Sequence, residues 1–188
     1  MIEVVYRGIR IQLCFSFFAV AAASVLISGD ISPALAACLL HESGHIAAML
    51  LCRAKPRRIV FYGAGIMLIP CRELLPARHE LMILSAGCAV NLLLFLTDTL
   101  LYRHIGVFGL TNLLLGIFNM LPCPALDGGR ISELLLEQRL DPRTAHSICR
   151  AAGILSCLIF TGILILFHAV SITALTALVL MMISSLMF

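Results

Sequence analysis

The sequence predicts an all-α polytopic membrane protein with six transmembrane helices, a small membrane-surface β-hairpin and a re-entrant segment. Composition is the first reason: of the 188 residues, 61% are hydrophobic and only 12% are charged, whereas soluble domains carry about 25% charged residues. So few polar side chains cannot cover the surface of a soluble protein. Lipid must therefore surround most of the chain.

Six apolar runs approach the length of about 20 residues that a spanning helix needs. The final stretch, from Ala151 to Phe188, contains no charged residue. As one straight helix it would be about 57 Å long, nearly twice the hydrocarbon core, so we expect it to fold back near residues 168–171. The predicted spans of this single domain, 1–188, are 11–28, 31–52, 81–101, 105–121, 148–168 and 171–187.

The basic residues predict the orientation of these spans. The chain has 13 lysine and arginine residues, and in the six-span layout all of them except Arg103 face one side. Cytoplasmic loops are enriched in lysine and arginine, so both termini are predicted to be cytoplasmic. Because no compact basic face with interleaved aromatic residues is evident, nucleic acid is not an expected partner.

A hairpin is predicted between the second and third spans, in residues 58–70. Two short β-prone runs there flank Gly63-Ala64-Gly65, a turn-forming sequence. The alternative is a surface loop with apolar anchors. The sequence does not distinguish the two.

The strongest chemical motif is His41-Glu42-Ser43-Gly44-His45, an HExxH pattern inside the second predicted span. Positions i and i+4 share one helix face, so both imidazoles can bind one zinc ion, and Glu42 can act as the general base. A charged side chain at the bilayer centre costs about 2.5–3.5 kcal/mol, which favours a bound metal or a water-filled cavity. The alternative is a polar trio that links helices through hydrogen bonds.

A catalytic zinc ion usually has three protein ligands, so a third must come from elsewhere. Asp98 and His168 lie too far toward the outer side of the predicted layout. Asp127 follows a segment with two prolines and precedes two glycines, and an extended chain from Pro122 could reach about 16 Å, to the depth of the histidines. The alternative is that Asp127 is the N-cap of an amphipathic stretch at 130–139.

The eight cysteines include no CxxC pair, so neither a disulfide framework nor a cysteine zinc site is predicted. We interpret them as small apolar residues in a lipid or reducing environment. Cys123 is singled out because it lies close to Asp127 in the sequence.

Two motifs together resemble the site-2 protease family of intramembrane zinc metalloproteases, peptidase family M50. HESGH at 41–45 matches the family's HExxH, and NMLPCPALDGG at 119–129 is similar to its NxxPxPxLDGG motif. Gly87-Cys88-Ala89-Val90-Asn91 is similar to its GPxxN segment, with Cys88 in place of the proline. The resemblance covers nearly the whole chain and implies that His41, His45 and Asp127 bind Zn²⁺, that Glu42 is the base and that Asn119 assists at the substrate.

Within the family, the compact layout resembles the branch of the stage IV sporulation protein FB, although these 188 residues contain neither a CBS nor a PDZ domain. The resemblance implies a multi-pass protein of the bacterial cytoplasmic membrane. It implies hydrolysis of peptide bonds in or near transmembrane segments, with a sporulation sigma-factor precursor as a substrate that fits the branch. Expected partners are the lipid bilayer, a membrane-associated protein substrate and an inhibitory membrane partner. The alternative function is a metal-ion transporter that uses the same histidine and aspartate site.

Overall fold

The computed structural model describes residues 2–6, 9–13, 32–54, 56–62, 65–70, 75–124 and 126–166. These residues form four strands and five helices, which we number in chain order. The strands are β1 (Ile2–Tyr6), β2 (Ile9–Leu13), β3 (Pro56–Tyr62) and β4 (Gly65–Pro70). The helices are α1 (Ser32–Leu51), α2 (Ala77–Tyr102), α3 (Val107–Asn119), α4 (Asp127–Leu136) and α5 (Pro142–Leu166). By internal packing the chain divides into two compact units, Met1–Gly116 and Ile117–Phe188.

The first unit contains a four-stranded sheet in the order β1-β2-β3-β4. Strands β1 and β2 pair antiparallel, β2 and β3 pair parallel, and β3 and β4 pair antiparallel. The β3–β4 pair lies in the stretch where the sequence predicted a hairpin. Gly65 of the predicted turn is the first residue of β4, whereas residues 63 and 64 lie outside the described residues. A position of the pair at a membrane surface stays a prediction.

The predicted first span, 11–28, is wrong in its first three residues. Ile11 to Leu13 belong to β2, where Ile11 is opposite Ile59 of β3. The alternation of apolar and polar residues in Ile9-Arg10-Ile11-Gln12-Leu13 is a strand pattern, and Gln12 is buried and donates a hydrogen bond to Glu3 of β1 (3.1 Å). Residues 14–28 lie outside the described part of the chain.

Helices α1 and α2 pack closely against each other at a glycine. A Cβ atom on Gly44 of α1 would lie 2.8 Å from both the Ala86 carbonyl oxygen and the Val90 side chain of α2. Small residues at such crossings let two helix backbones approach, and this packing is common in membranes. The close approach brings the Asn91 side chain and the Ile83 carbonyl group of α2 within hydrogen-bonding distance of the histidines of α1.

Helix α3 is shorter than the predicted span 105–121. It begins at Val107, where the side chain of Asp98 accepts a hydrogen bond from the Gly109 backbone N–H in the first turn (3.1 Å). This contact is a helix cap that α2 supplies to α3. With 13 residues, α3 would be about 20 Å long, too short by itself to cross a bilayer.

The second unit contains the turn after α3, followed by α4 and α5. Asp141 caps α5, since it accepts hydrogen bonds from the backbone N–H (3.0 Å) and the hydroxyl (2.7 Å) of Thr144. These bonds lower the pKa of Asp141. The cap and Pro142 explain why α5 begins six residues before the predicted span 148–168. Helix α4 begins at Asp127 rather than at residue 130.

A small polar cluster joins α4 to α5. Glu133 accepts hydrogen bonds from His146 (3.0 Å) and from Arg130 (2.8 Å). Partial burial acts to raise the pKa of Glu133, but these two hydrogen bonds outweigh it, so the pKa lies below its ordinary value.

Among the described residues, three helices are long and apolar enough to cross a membrane: α1, α2 and Pro142–Gly162 of α5. Their surfaces agree with a lipid environment, because Leu51, Leu100 and Leu166 are each more than 70% exposed. The predicted fold class is confirmed in this coarser form, a mostly helical protein with several candidate membrane helices. The count of six stays a prediction, because the predicted last span, 171–187, and the turn near 168–171 lie outside the described residues.

Candidate metal centre

The two histidines of the HExxH motif lie on one face of α1. His41 and His45 are 4% and 6% exposed, and their Nε2 atoms are 3.1 Å apart. The rings meet edge to face, with centroids 4.7 Å apart and an interplanar angle of 87°. Buried imidazoles normally have defined partners, so the partner of each Nδ1 atom decides what the Nε2 atoms can do.

The Nδ1 atom of His45 is held by the backbone of α2. It lies 2.7 Å from the carbonyl oxygen of Ile83. A carbonyl oxygen only accepts, so the Nδ1–H of His45 donates and its Nε2 carries the lone pair of the neutral ring.

The Nδ1 atom of His41 is held by two buried asparagines. It lies 2.5 Å from Oδ1 of Asn91. The Nδ2 group of Asn91 donates to Oδ1 of Asn112 (2.9 Å). The Nδ2 group of Asn112 in turn donates to the Phe108 carbonyl oxygen (2.9 Å). Both asparagines are 0% exposed. His41 therefore also donates from Nδ1 and keeps the lone pair on Nε2.

With both Nδ1 atoms donating, an Nε2–Nε2 distance of 3.1 Å corresponds either to an N–H···N hydrogen bond from a protonated ring or to two lone pairs that share a metal ion. Two nitrogen ligands of a tetrahedral zinc ion, with Zn–N bonds of about 2.0–2.1 Å, are separated by about 3.3 Å. The spacing of the histidines and their shared tautomer therefore fit a common metal ion. A hydrogen-bonded trio that only links helices, the alternative left open by the sequence, does not require this arrangement.

Gly87 of α2 makes room for both rings. A Cβ atom on Gly87 would lie 2.5 Å from Nε2 of His45 and 2.7 Å from Cε1 of His41. Any larger residue would push the rings away from their present positions. The glycine is thus a steric requirement of the centre.

Asp127 lies with the two histidines in a group of three possible metal ligands. It is half-buried and is the first residue of α4, preceded by the extended Leu126. Ligand atoms of His41, His45 and Asp127 all lie within 4.8 Å of one another, so this His-His-Asp group could bind a metal ion. Asp127 is not the N-cap of α4, which was the sequence alternative, because Leu126 occupies that position.

The turn before Asp127 is compact rather than extended. Leu126 N–H donates to the Cys123 carbonyl oxygen (2.8 Å), and Cys123 N–H donates to that of Leu121 (2.8 Å). A Cβ atom on Gly129 would collide with the Cys123 carbonyl group. The two glycines after Asp127 therefore let the first turn of α4 lie directly on the backbone of the preceding turn. The predicted extended reach is wrong, and the re-entrant position of this segment in the membrane stays a prediction.

Cys123 does not belong to the group of three ligands. It is fully buried beside Cys157 of α5. Phe118 and Phe160 pack around the pair, with ring centroids 6.0 Å apart. Cys123 is thus a core residue of the second unit.

Two predicted site residues have positions but no tested role. Glu42 follows His41 on α1 and is half-buried, and Asn119 is the last residue of α3 and is also half-buried. Their assignments as base and as substrate-binding residue stay predictions.

Residues 95–160 match the model of peptidase family M50. The fold is similar to that of a site-2 protease. The solved structure "Site-2 Protease from Methanocaldococcus jannaschii" aligns with a TM-score of 0.72, over 98% of this chain and 93% of that chain, at 20% sequence identity. No curated protein matches the sequence.

These matches support the predicted family resemblance in its coarser form. The matched stretch, 95–160, includes Asp127 but not the HExxH motif. The likeness to the archaeal structure is a likeness of fold. Neither match bears on the branch of the stage IV sporulation protein FB, which stays a prediction.

Sequence reasoning missed the two asparagines that hold His41. Asn91 was noted only within the GPxxN-like segment, and Asn112 was not singled out. A signal was available, because a polar amide in the middle of an apolar helix needs a buried partner. The partner itself could not be read from the sequence, since the contacts join residues 50 and 21 positions apart.

Proposed function

We propose that the protein is an intramembrane zinc metalloprotease that hydrolyses peptide bonds in or near the transmembrane segments of membrane-associated proteins. The observation that carries this proposal is the His-His-Asp group with ligand atoms within 4.8 Å of one another. It is supported by the match to peptidase family M50, by the site-2 protease fold and by the apolar helix that carries both histidines.

In this proposal His41, His45 and Asp127 hold the metal. Two neutral imidazoles and one carboxylate form a donor set typical of catalytic zinc, which leaves a coordination position for water or substrate. A zinc ion bound there would acidify water and polarise the scissile carbonyl group. The proposal requires no movement of the histidines, because their Nε2 spacing already fits a tetrahedral ion.

Glu42 is proposed to move the proton. As general base it takes a proton from the attacking water and then returns a proton to the leaving amine. Asn119 is proposed to bind the substrate next to the scissile bond. A helical substrate must unwind before cleavage, because its carbonyl groups are engaged in hydrogen bonds, and the outer edge of β4 could pair with the unwound strand.

The proposed setting follows from the distribution of charge. The protein is proposed to lie in a bacterial cytoplasmic membrane with both termini cytoplasmic, as the basic residues predict. Its proposed partners are the bilayer, a membrane-associated substrate, for which a sporulation sigma-factor precursor is one candidate, and an inhibitory membrane protein. Neither the family match nor the fold likeness supports the alternative of a metal-ion transporter.

The test is a Glu42→Gln variant in native membranes. Loss of a general base slows hydrolysis by about 100-fold or more, so comparative proteomics should show at least one cleavage product in wild-type membranes that is lost in the variant. Zinc content should be unchanged, because Glu42 is not a proposed ligand. The matched control is Glu137→Gln, which makes the same change at an exposed position of the turn after α4. Wild-type cleavage by the Glu42 variant would refute the base assignment, and zinc flux across liposomes would favour the transporter.

A further inference from the structure

We infer that Asn91 and Asn112 form a directional relay that fixes the tautomer of His41, and that the relay starts at the backbone carbonyl group of Phe108. Both are positioning residues: neither is a member of the His-His-Asp group. This inference rests on the proposed function, because it assumes that Nε2 of His41 is a metal ligand.

The direction of the relay is set at its far end. The Phe108 carbonyl oxygen can only accept, so Asn112 must present its Nδ2 group there. This leaves Oδ1 of Asn112 facing Asn91, which must then donate from its own Nδ2. The remaining polar atom of Asn91, Oδ1, therefore faces His41.

The consequence for His41 is a forced choice between its two neutral tautomers. An acceptor at Nδ1 keeps the proton there and leaves the Nε2 lone pair pointing at His45. An asparagine alone would not force this choice, because a rotated amide presents its NH₂ group instead. The second asparagine removes that freedom, since rotation of Asn91 would place its Oδ1 against the Oδ1 acceptor of Asn112 in a fully buried site.

Burial gives the relay its strength. Both asparagines are 0% exposed, so water cannot replace a lost partner, and an unmet polar group there is costly. Gly116 of α3 adds to the fit, because a Cβ atom on it would lie 3.3 Å from Cβ of Asn91. The position of Asn91 is therefore restricted by packing as well as by hydrogen bonds.

Four variants separate tautomer control from packing. Asn91→Leu and Asn112→Leu remove the polar groups and keep a side chain branched at Cγ. Asn91→Asp keeps the acceptor that faces His41, and Asn112→Asp keeps the acceptor that faces Asn91. Each variant loses the donor at its other link, so the pair tests the acceptor direction of the relay apart from its full set of hydrogen bonds. The control is Thr111→Val, an adjacent α3 residue whose hydroxyl donates only to the Val107 carbonyl of its own helix (2.7 Å).

Zinc affinity of the full-length protein in micelles is measured by competition with a chelator. Loss of such supporting contacts typically lowers metal affinity about 10–100-fold. We expect that loss in both leucine variants, and affinity within about tenfold of wild type in both aspartate variants, since a retained acceptor preserves the tautomer. Thr111→Val should match wild type.

A second readout identifies the binding nitrogen directly. In cadmium-loaded protein with ¹⁵N-labelled histidine, coupling to ¹¹³Cd should appear at Nε2 of His41, with a slowly exchanging proton at Nδ1. This readout needs no variant, so it remains decisive if the leucine variants do not fold. Coupling at Nδ1 would overturn the relay, as would equal affinity losses in the aspartate and leucine variants or wild-type affinity in Asn112→Leu. Failure of the wild-type protein to bind zinc would instead refute the proposed function.

Discussion

Replacement of Gly87 by alanine should damage the metal centre more than the fold. The added methyl group would lie 2.5 Å from Nε2 of His45, against about 3.4 Å for ordinary contact. One or both rings must therefore move by roughly 0.9 Å, or α1 and α2 must separate by a similar distance. Metal–ligand distances tolerate only about 0.2 Å, so the ring cannot both avoid the methyl group and keep its place around a zinc ion.

The expected size of the effect follows from this displacement. A shift of about 1 Å at a reacting centre can cost about 100-fold in rate, and we expect zinc affinity to fall at least tenfold. The effect on stability should be smaller, because overpacking costs about 1–3 kcal/mol while replacing a helical glycine by alanine returns up to about 1 kcal/mol.

The assay is zinc affinity and thermal unfolding of Gly87→Ala beside Gly162→Ala. Gly162 serves as the control, since it is also helical and no atom of the part of the chain that the structure describes lies within 4 Å of an added Cβ atom. Gly162→Ala should bind zinc like wild type and unfold at the same or a slightly higher temperature. The steric reasoning would be refuted by a Gly87→Ala protein with wild-type zinc affinity.

Two further predictions concern the second unit. Gly129→Ala should lower the unfolding temperature, because its methyl group would collide with the Cys123 carbonyl group. A backbone group cannot move aside as easily as a side chain can. An unchanged melting curve would contradict the compact turn. Stability should also fall in acid through Glu133. Burial acts to raise the pKa of this residue, but hydrogen bonds, including one from His146, hold the pKa below its ordinary value of 4.5. A lowered folded-state pKa stabilises the fold fully above about pH 4.5, and this contribution is lost as the pH falls through the folded-state value. Glu133→Gln should flatten the pH dependence of unfolding in that window, and an unaltered profile would show that the contact contributes nothing.

Local patterns predicted the part of the centre that lies on one helix. The spacing of His41 and His45 places both on one face because the helical repeat is 3.6 residues, and their Nε2 atoms are indeed adjacent. The lengths of the apolar runs placed the ends of α1, α2 and α3 within about four residues of the observed ones. Helix α5 begins six residues earlier than predicted, because its cap at Asp141 was overlooked.

Features that depend on other elements were less predictable. The strand β2 was interpreted as the start of a span, because an apolar run adjoins it. Its pairing partner, β3, lies more than 40 residues away, and the residues of β2 alone do not identify that partner. For Asp127 the sequence left two roles open, a metal ligand and a helix N-cap, because both place an aspartate at the start of α4. The Asn91–Asn112 contacts depend on how three helices pack, which no local pattern encodes.

The most direct test of the metal centre is zinc X-ray absorption on the purified full-length protein, with Asp127→Ala measured alongside. We expect one zinc ion per chain, with two imidazole nitrogens at about 2.0–2.1 Å and oxygen ligands. In the variant, zinc affinity should fall and the coordination shell should change. A variant that binds zinc with wild-type affinity and an unchanged spectrum would contradict the claim that these three side chains share one ion.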